Sequence, residues 1–168
     1  MRNHRINPQS NISRLVAACL ILSACLIFGS AWSAKGGGSP PFPISGSFTV
    51  SGFCSFDVQV TIIGKGGFIS LPDGGFIDHA AASSLTLTNL SDPSKTVMLN
   101  GGGTVNFPPV QNGEGIGQLQ GRHIFADPSF GFRLLIGEWT YVYDANTGAI
   151  IQTPTGSGQN IDLCGLLD

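Results

Sequence analysis

The chain has 168 residues, 42% hydrophobic and only 11% charged, with 24 glycines and a formal net charge of −2. That length favours a single domain. The charges form no basic cluster beyond the N-terminus, which argues against nucleic acid and anionic membrane surfaces as partners, and the persistent apolar alternation argues against disorder.

The chain opens on Arg2, Arg5 and Arg14, followed by a 14-residue apolar run over residues 15–28 and the small-residue site Ala31-Trp32-Ser33. This is the layout of an export signal, too short for an ordinary membrane span. It predicts a signal helix within residues 1–34, cleaved after Ser33 or Ala34; an uncleaved anchor is the alternative. Leu22-Ser23-Ala24-Cys25 resembles a lipobox, so Cys25 is a candidate for lipidation, which would leave the protein anchored at the outer face of the membrane. Ordinary cleavage is favoured, because Leu26-Ile27-Phe28 continue the apolar run. Membrane attachment is expected only through the uncleaved signal or through that lipid.

Without the leader, five basic residues (Lys35, Lys65, Lys95, Arg122, Arg133) face ten acidic ones, a formal charge of −5. Cys54 and Cys164 are the only cysteines left. In a secreted protein such a pair is expected to be bridged, and the bridge requires the two positions to be spatial neighbours. Residues 35–44 carry three glycines and three prolines before Ile44 and read as a flexible linker. Residues 45–168 then form the all-β domain.

Residues 48–62 alternate apolar and polar positions, and read as one long half-buried strand kinked at Gly52. Gly66-Gly67-Phe68-Ile69-Ser70 and Gly74-Gly75-Phe76-Ile77-Asp78 flank Leu71-Pro72-Asp73-Gly74, which predicts a hairpin. Ala80-Ala81-Ala82 can hold a helical turn. Strands are expected over residues 84–89 and 96–100, with a turn at Asp92-Pro93, and the glycines at 101–103 reverse or bend the chain. Asn89-Leu90-Ser91 is formally a glycosylation acceptor. A strand over residues 104–107 ends at Pro108-Pro109, and another covers residues 116–125 before a turn at Asp127-Pro128-Ser129. Beyond Gly131 the large residues fall at Phe132, Leu134 and Ile136, then at Trp139, Tyr141 and Tyr143. That change of phase predicts a bulge at Gly137, or a tight turn there. A turn over residues 144–148 leads into a last strand interrupted by Pro154, Gly156 and Gly158, and residues 161–164 close the domain.

Candidate chemistry is thin. His123 is placed by parity towards the interior, and with Asp127 or Glu138 it could act as a general acid/base in a cavity; a satisfied buried histidine is the simpler reading. Glu138 matters because bulges re-aim side chains. Asp78 and His79 are adjacent and so face opposite sides of a strand. Trp139, Tyr141 and Tyr143 are candidates for ligand binding, with plain sheet packing as the alternative. No metal-ligand spacing, glycine-rich phosphate loop or nucleophile elbow occurs, and no metal or cofactor is expected.

Gly121-Arg122-His123, Asp127-Pro128, Gly131-Phe132-Arg133-Leu134, Gly137, Asp144 with Gly148, Thr155-Gly156-Ser157-Gly158 and Ile161-Asp162-Leu163-Cys164 resemble small secreted bacterial all-β proteins of unknown function. The resemblance spans residues 54–164 and implies export and a β fold, with no catalytic residue to carry over. Gly137-Glu138-Trp139 is similar to the Gly-x-Trp of lipocalins but lies late in the chain, so that likeness is one of fold alone, a small barrel with a cavity.

The expectation is therefore one all-β domain, a meander barrel of about eight strands with a two-sheet sandwich as the alternative. Its leading role is non-enzymatic binding of a small apolar or amphipathic ligand, or of a cell-envelope component. A small isomerase or cyclase using His123, and a purely structural envelope protein, are the competing expectations. The oligomeric state is left open.

Overall fold

A computed structural model describes Gly38 and residues 40–168, apart from the side chains of residues 81 and 82. The expected signal helix and Cys25 lie outside these residues.

The chain is all-β. Seven strands run in sequence order through one antiparallel sheet: β1 (Phe42–Val50), β2 (Val58–Ser70), β3 (Phe76–Asn89), β4 (Thr96–Phe107), β5 (Glu114–Asp127), β6 (Gly131–Asp144) and β7 (Ile150–Asp162), followed by the single helical turn α1 (Leu163–Leu166). Each strand pairs with its chain neighbours, so β1 and β7 are the two outer strands. The first strand begins at Phe42, inside the stretch expected to be linker.

The reading of residues 48–62 as one strand is corrected. β1 ends at Val50, β2 starts at Val58, and the two pair antiparallel from Val50↔Val58 to Phe42↔Gly66. Gly52 and Cys54 belong to the connection between them. Alternation runs on through that connection because Phe53, Cys54 and Phe56 also pack against the core. The hairpin at residues 71–75 forms as expected, with Ile69 opposite Ile77 and Gly74 N donating to Leu71 O at 3.1 Å. Residues 80–82 hold no helical turn: they lie within β3, whose register against β4 shifts between Ala80 and Ser83. Residues 101–103 do not reverse the chain either, since β4 passes through them.

Gly137 is likewise neither a bulge nor a turn. β6 keeps unbroken register across it, Gly137 standing opposite Gly121 of β5 and Gly158 of β7. Alternation is unbroken as well. Phe132, Leu134 and Ile136 join one apolar cluster, while Leu135, Trp139, Tyr141 and Tyr143 join a second one from the other face. What changes at Gly137 is which face carries the larger buried side chains. Gly103, Gly121, Gly137 and Gly158 pair in turn, so this change falls on a row of glycines crossing β4 to β7. Gly121, Gly137 and Gly158 have φ of 106°, 122° and 137°, values that suit glycine alone.

The first cluster holds Val58, Val60 and Leu87 of β2 and β3 against Phe132 and Leu134 of β6. α1 caps this cluster, with Leu163 and Leu167 fully buried. The Cys54–Cys164 disulfide, with Cα atoms 5.4 Å apart, ties the β1–β2 connection to α1. Asp162 starts the turn by accepting from Cys164 N at 3.1 Å.

Asn89 completes the anchorage. Its Nδ2 donates to Leu167 O at 3.1 Å, and its Oδ1 accepts from Ser91 N at 2.8 Å and Asp92 N at 3.2 Å. Only 5% of this residue is exposed, so the sequon nitrogen is buried and engaged in the folded protein. Asn89→Ala strands a buried carbonyl and two turn N–H groups; a loss of about 2–3 kcal/mol is expected in equilibrium denaturation.

Candidate functional site

Two concave regions stand out. The first is an apolar cavity of about 300 Å³ within the first cluster. β1 contributes Ile44, Phe48 and Val50, β2 contributes Val60 and Ile62, and β3 adds Ala80, Ser83 and Leu85. From the opposite side come Arg122, His123, Ile124 and Ala126 of β5 and Phe132 of β6. Strand periodicity explains the lining, because alternate residues of β1, β2 and β5 face the same way.

The pairing of β4 with β5 stops short beside the cavity. Only Gly102 to Asn106 of β4 pair with β5, against Arg122 to Gln118. The first half of β4, from Thr96 to Gly101, has no ladder to β5. Gly101, Gly102, Arg122 and His123 line the cavity beside this parting. Arg122 stands at its apex, its Nη1 donating to Asn100 O at 3.4 Å.

Three polar side chains line the cavity. Ser83 is buried, and its Oγ has no hydrogen-bond partner among the described residues. A buried hydroxyl in this condition costs free energy until something pairs with it. His123 Nε2 donates to Gln120 O at 3.0 Å. Burial pushes its imidazole below the ordinary histidine value, opposed by the bonds to the Gln120 and Thr104 carbonyls and by the Asp78 carboxyl. Gly103 makes room for this ring, since a Cβ there would overlap His123 Nε2 and Gln120 O. Arg122 is exposed, and its guanidinium can only donate hydrogen bonds.

The acid that sits near His123 is neither of those expected. Asp78 of β3 interacts with it electrostatically, and burial raises the Asp78 carboxyl, partly offset by His123 and His79. Asp127 instead holds its turn, its Oδ1 accepting from Ser129 N at 2.8 Å and from Ser129 Oγ at 2.5 Å. Glu138 is exposed elsewhere and accepts from Gln120 Nε2 at 3.3 Å. Asp78 is legible in the sequence only as the neighbour of His79, and Ser83 is the residue hardest to single out. Its one sequence signal is indirect: small residues around it and at 101–103 that leave space in a sheet.

The aromatic stripe is turned into the second cluster. Tyr141 is buried, 5.3 Å from the Phe125 ring and 6.0 Å from that of Tyr143, and burial raises its phenol above the ordinary value. Tyr141 and Tyr143 lie over their cross-strand partners Gly117 and Gly115, where a Cβ would overlap the rings. Trp139 is half-buried, its Nε1 donating to Ile136 O at 3.4 Å. Tyr141 and Tyr143 pack within the second cluster, while Trp139 also lines a groove on this side of the sheet.

The second concave region is a wider groove of about 600 Å³ across β4 to β7, lined by Thr104, Asn106, Gln118, Gln120, Glu138, Thr140, Thr155 and Ser157 among others. Several of its polar groups are paired with one another, Asn106 with Gln118 at 2.8 Å and Gln120 with Glu138. Among the described residues, no group of three or more His, Cys, Asp or Glu side chains is placed to hold a metal ion. No helix among them is long and apolar enough to cross a membrane.

No protein-family model matches the chain, and no curated protein or solved structure is significantly similar to it.

Proposed function

We propose that this is an exported, non-enzymatic protein whose sheet curls into a small barrel and holds a small apolar or amphipathic ligand. The observation that carries the reading is the 300 Å³ cavity walled by Ile44, Phe48, Val60, Ile62, Leu85 and Phe132. Ligand sites in proteins are concave, mostly apolar, and furnished with a few polar groups. Export is supported by the leader sequence, and by a disulfide of the kind that persists in oxidising compartments. The curl is supported by the Cys54–Cys164 bridge and by the core shared between β2, β3, β6 and α1. A purely structural role makes no use of a walled apolar cavity.

The catalytic alternative needs an acid beside His123 at the substrate. Asp127 and Glu138 do not line the cavity, and neither does Asp78. His123 is better explained as a ring held by the Gln120 carbonyl.

Isothermal titration with 1-octanol tests the binding reading. Saturable one-site binding is expected, and Ala80→Leu, which fills part of the cavity, weakens it tenfold or more. His123→Ala changes the affinity less than threefold. A folded protein with no octanol binding rejects the proposal, and a large loss in the His123 variant without unfolding returns that residue to the centre of the site.

A further inference from the structure

The polar end of the cavity restricts what its ligand can be. Apart from Arg122, His123 and Ser83, the lining side chains are apolar or absent, and no carboxylate is among them. The Ser83 hydroxyl is buried without a partner among the described residues. The His123 Nε2 proton is spent on Gln120 O. Among the described residues the one ion pair is Arg133 with Asp162 at 3.7 Å, so Arg122 has no carboxylate partner. Its guanidinium, bonded through Nη1 alone to Asn100 O, stands at the apex of the β4–β5 parting.

A ligand drawn into the cavity strips water from this end. For a purely apolar ligand, or one with a single hydroxyl, that leaves a cation and an orphan hydroxyl poorly compensated. A carboxylate compensates both, because it accepts two parallel bonds from a guanidinium and has lone pairs left for a hydroxyl donor. Size supplies the second restriction. A cavity of about 300 Å³ lies at the small end of ordinary ligand sites.

Resting on the binding reading above, we infer that the ligand is a medium-chain aliphatic monocarboxylate, its head at Arg122 and Ser83 and its chain among Ile44, Phe48, Val60 and Ile62. Octanoate, with ten non-hydrogen atoms in all, is the natural probe.

Titration calorimetry near pH 7, on the protein with its disulfide formed, compares octanoate with 1-octanol. Octanoate is expected to bind at least tenfold more tightly. Arg122→Gln removes that preference, and Ser83→Ala weakens octanoate about threefold. Arg122 is exposed, and thermal melting verifies that the variant folds; Arg122→Lys retains part of the preference. Equal binding of octanoate and octanol by the unsubstituted protein overturns the carboxylate assignment and leaves the binding reading intact. Binding of neither overturns both. A preference that survives Arg122→Gln unchanged also overturns the assignment of the head group to Arg122.

Discussion

Replacing Cys54 and Cys164 together by serine is expected to lower the unfolding free energy by about 4 kcal/mol and Tm by roughly 15 °C. The bridge spans 110 residues of sequence. In the chain-entropy account a loop of that size gives close to the largest restriction of the unfolded ensemble that one crosslink achieves. There is a folded-state reason as well. β1 and β7 lie at opposite ends of the strand order, so among the described residues no ladder joins the two ends of the sheet. α1 is held by the sulfur bridge, the burial of Leu163 and Leu167, the Asn89 bond, and a bond from Lys95 Nζ to Asp168 O at 2.7 Å. Without the bridge, those few contacts alone must hold the end of the chain against the core. Urea denaturation of the oxidised protein and the double serine variant measures the difference. A change below 1 kcal/mol would show that packing alone fastens the ends.

The second large effect belongs to the glycine row. Gly158→Ala and Gly137→Ala are each expected to cost about 3–4 kcal/mol. Both positions have φ well inside the region unfavourable to side chains. A Cβ at 158 would overlap the Ile136 carbonyl oxygen, and one at 137 the Ser157 carbonyl oxygen. These obstacles are backbone atoms of the neighbouring strand, which cannot rotate aside as a long side chain can. Gly46→Ala is the control: no atom lies within 4 Å of its added carbon, and a change within 0.5 kcal/mol is expected. Chemical denaturation of the three variants ranks them. Equal, small losses at all three would mean that the row does not constrain the sheet.

The fold class, the disulfide and most turns were legible because each leaves a local trace. Leu71-Pro72-Asp73-Gly74 between two copies of the same short motif marks a hairpin, and Asp144 to Gly148 marks the reversal between β6 and β7. What could not be read were the places where burial and strand structure separate. Phe53 and Phe56 are apolar for the sake of the core, yet they lie in a connection, so β1 and β2 merged into one strand. At Gly137 a one-dimensional pattern cannot tell an inserted residue from an exchange of buried faces. Only the register running unbroken through Gly137 against both β5 and β7 distinguishes them.

The cavity was hidden for a related reason. Ser83 and Arg122 come from β3 and β5, and what brings them to one end of it is the register shift in β3 together with the early parting of β4 from β5. Neither feature has a sequence signature. His123 was identified as an interior residue by parity, but its neighbouring acid depends on where Asp78 lands across two ladders.

Because each strand lies beside the one before it, the assembly can proceed hairpin by hairpin from any starting point, with short searches at every step. The joining of residue 54 to residue 164 is the longest of the excursions the chain must make, beyond those that bring Asn89 and Lys95 to the last residues. During maturation it should therefore come last, acting as a latch on a ribbon already formed. An oxidant that arrives late then fixes the product without having directed its shape.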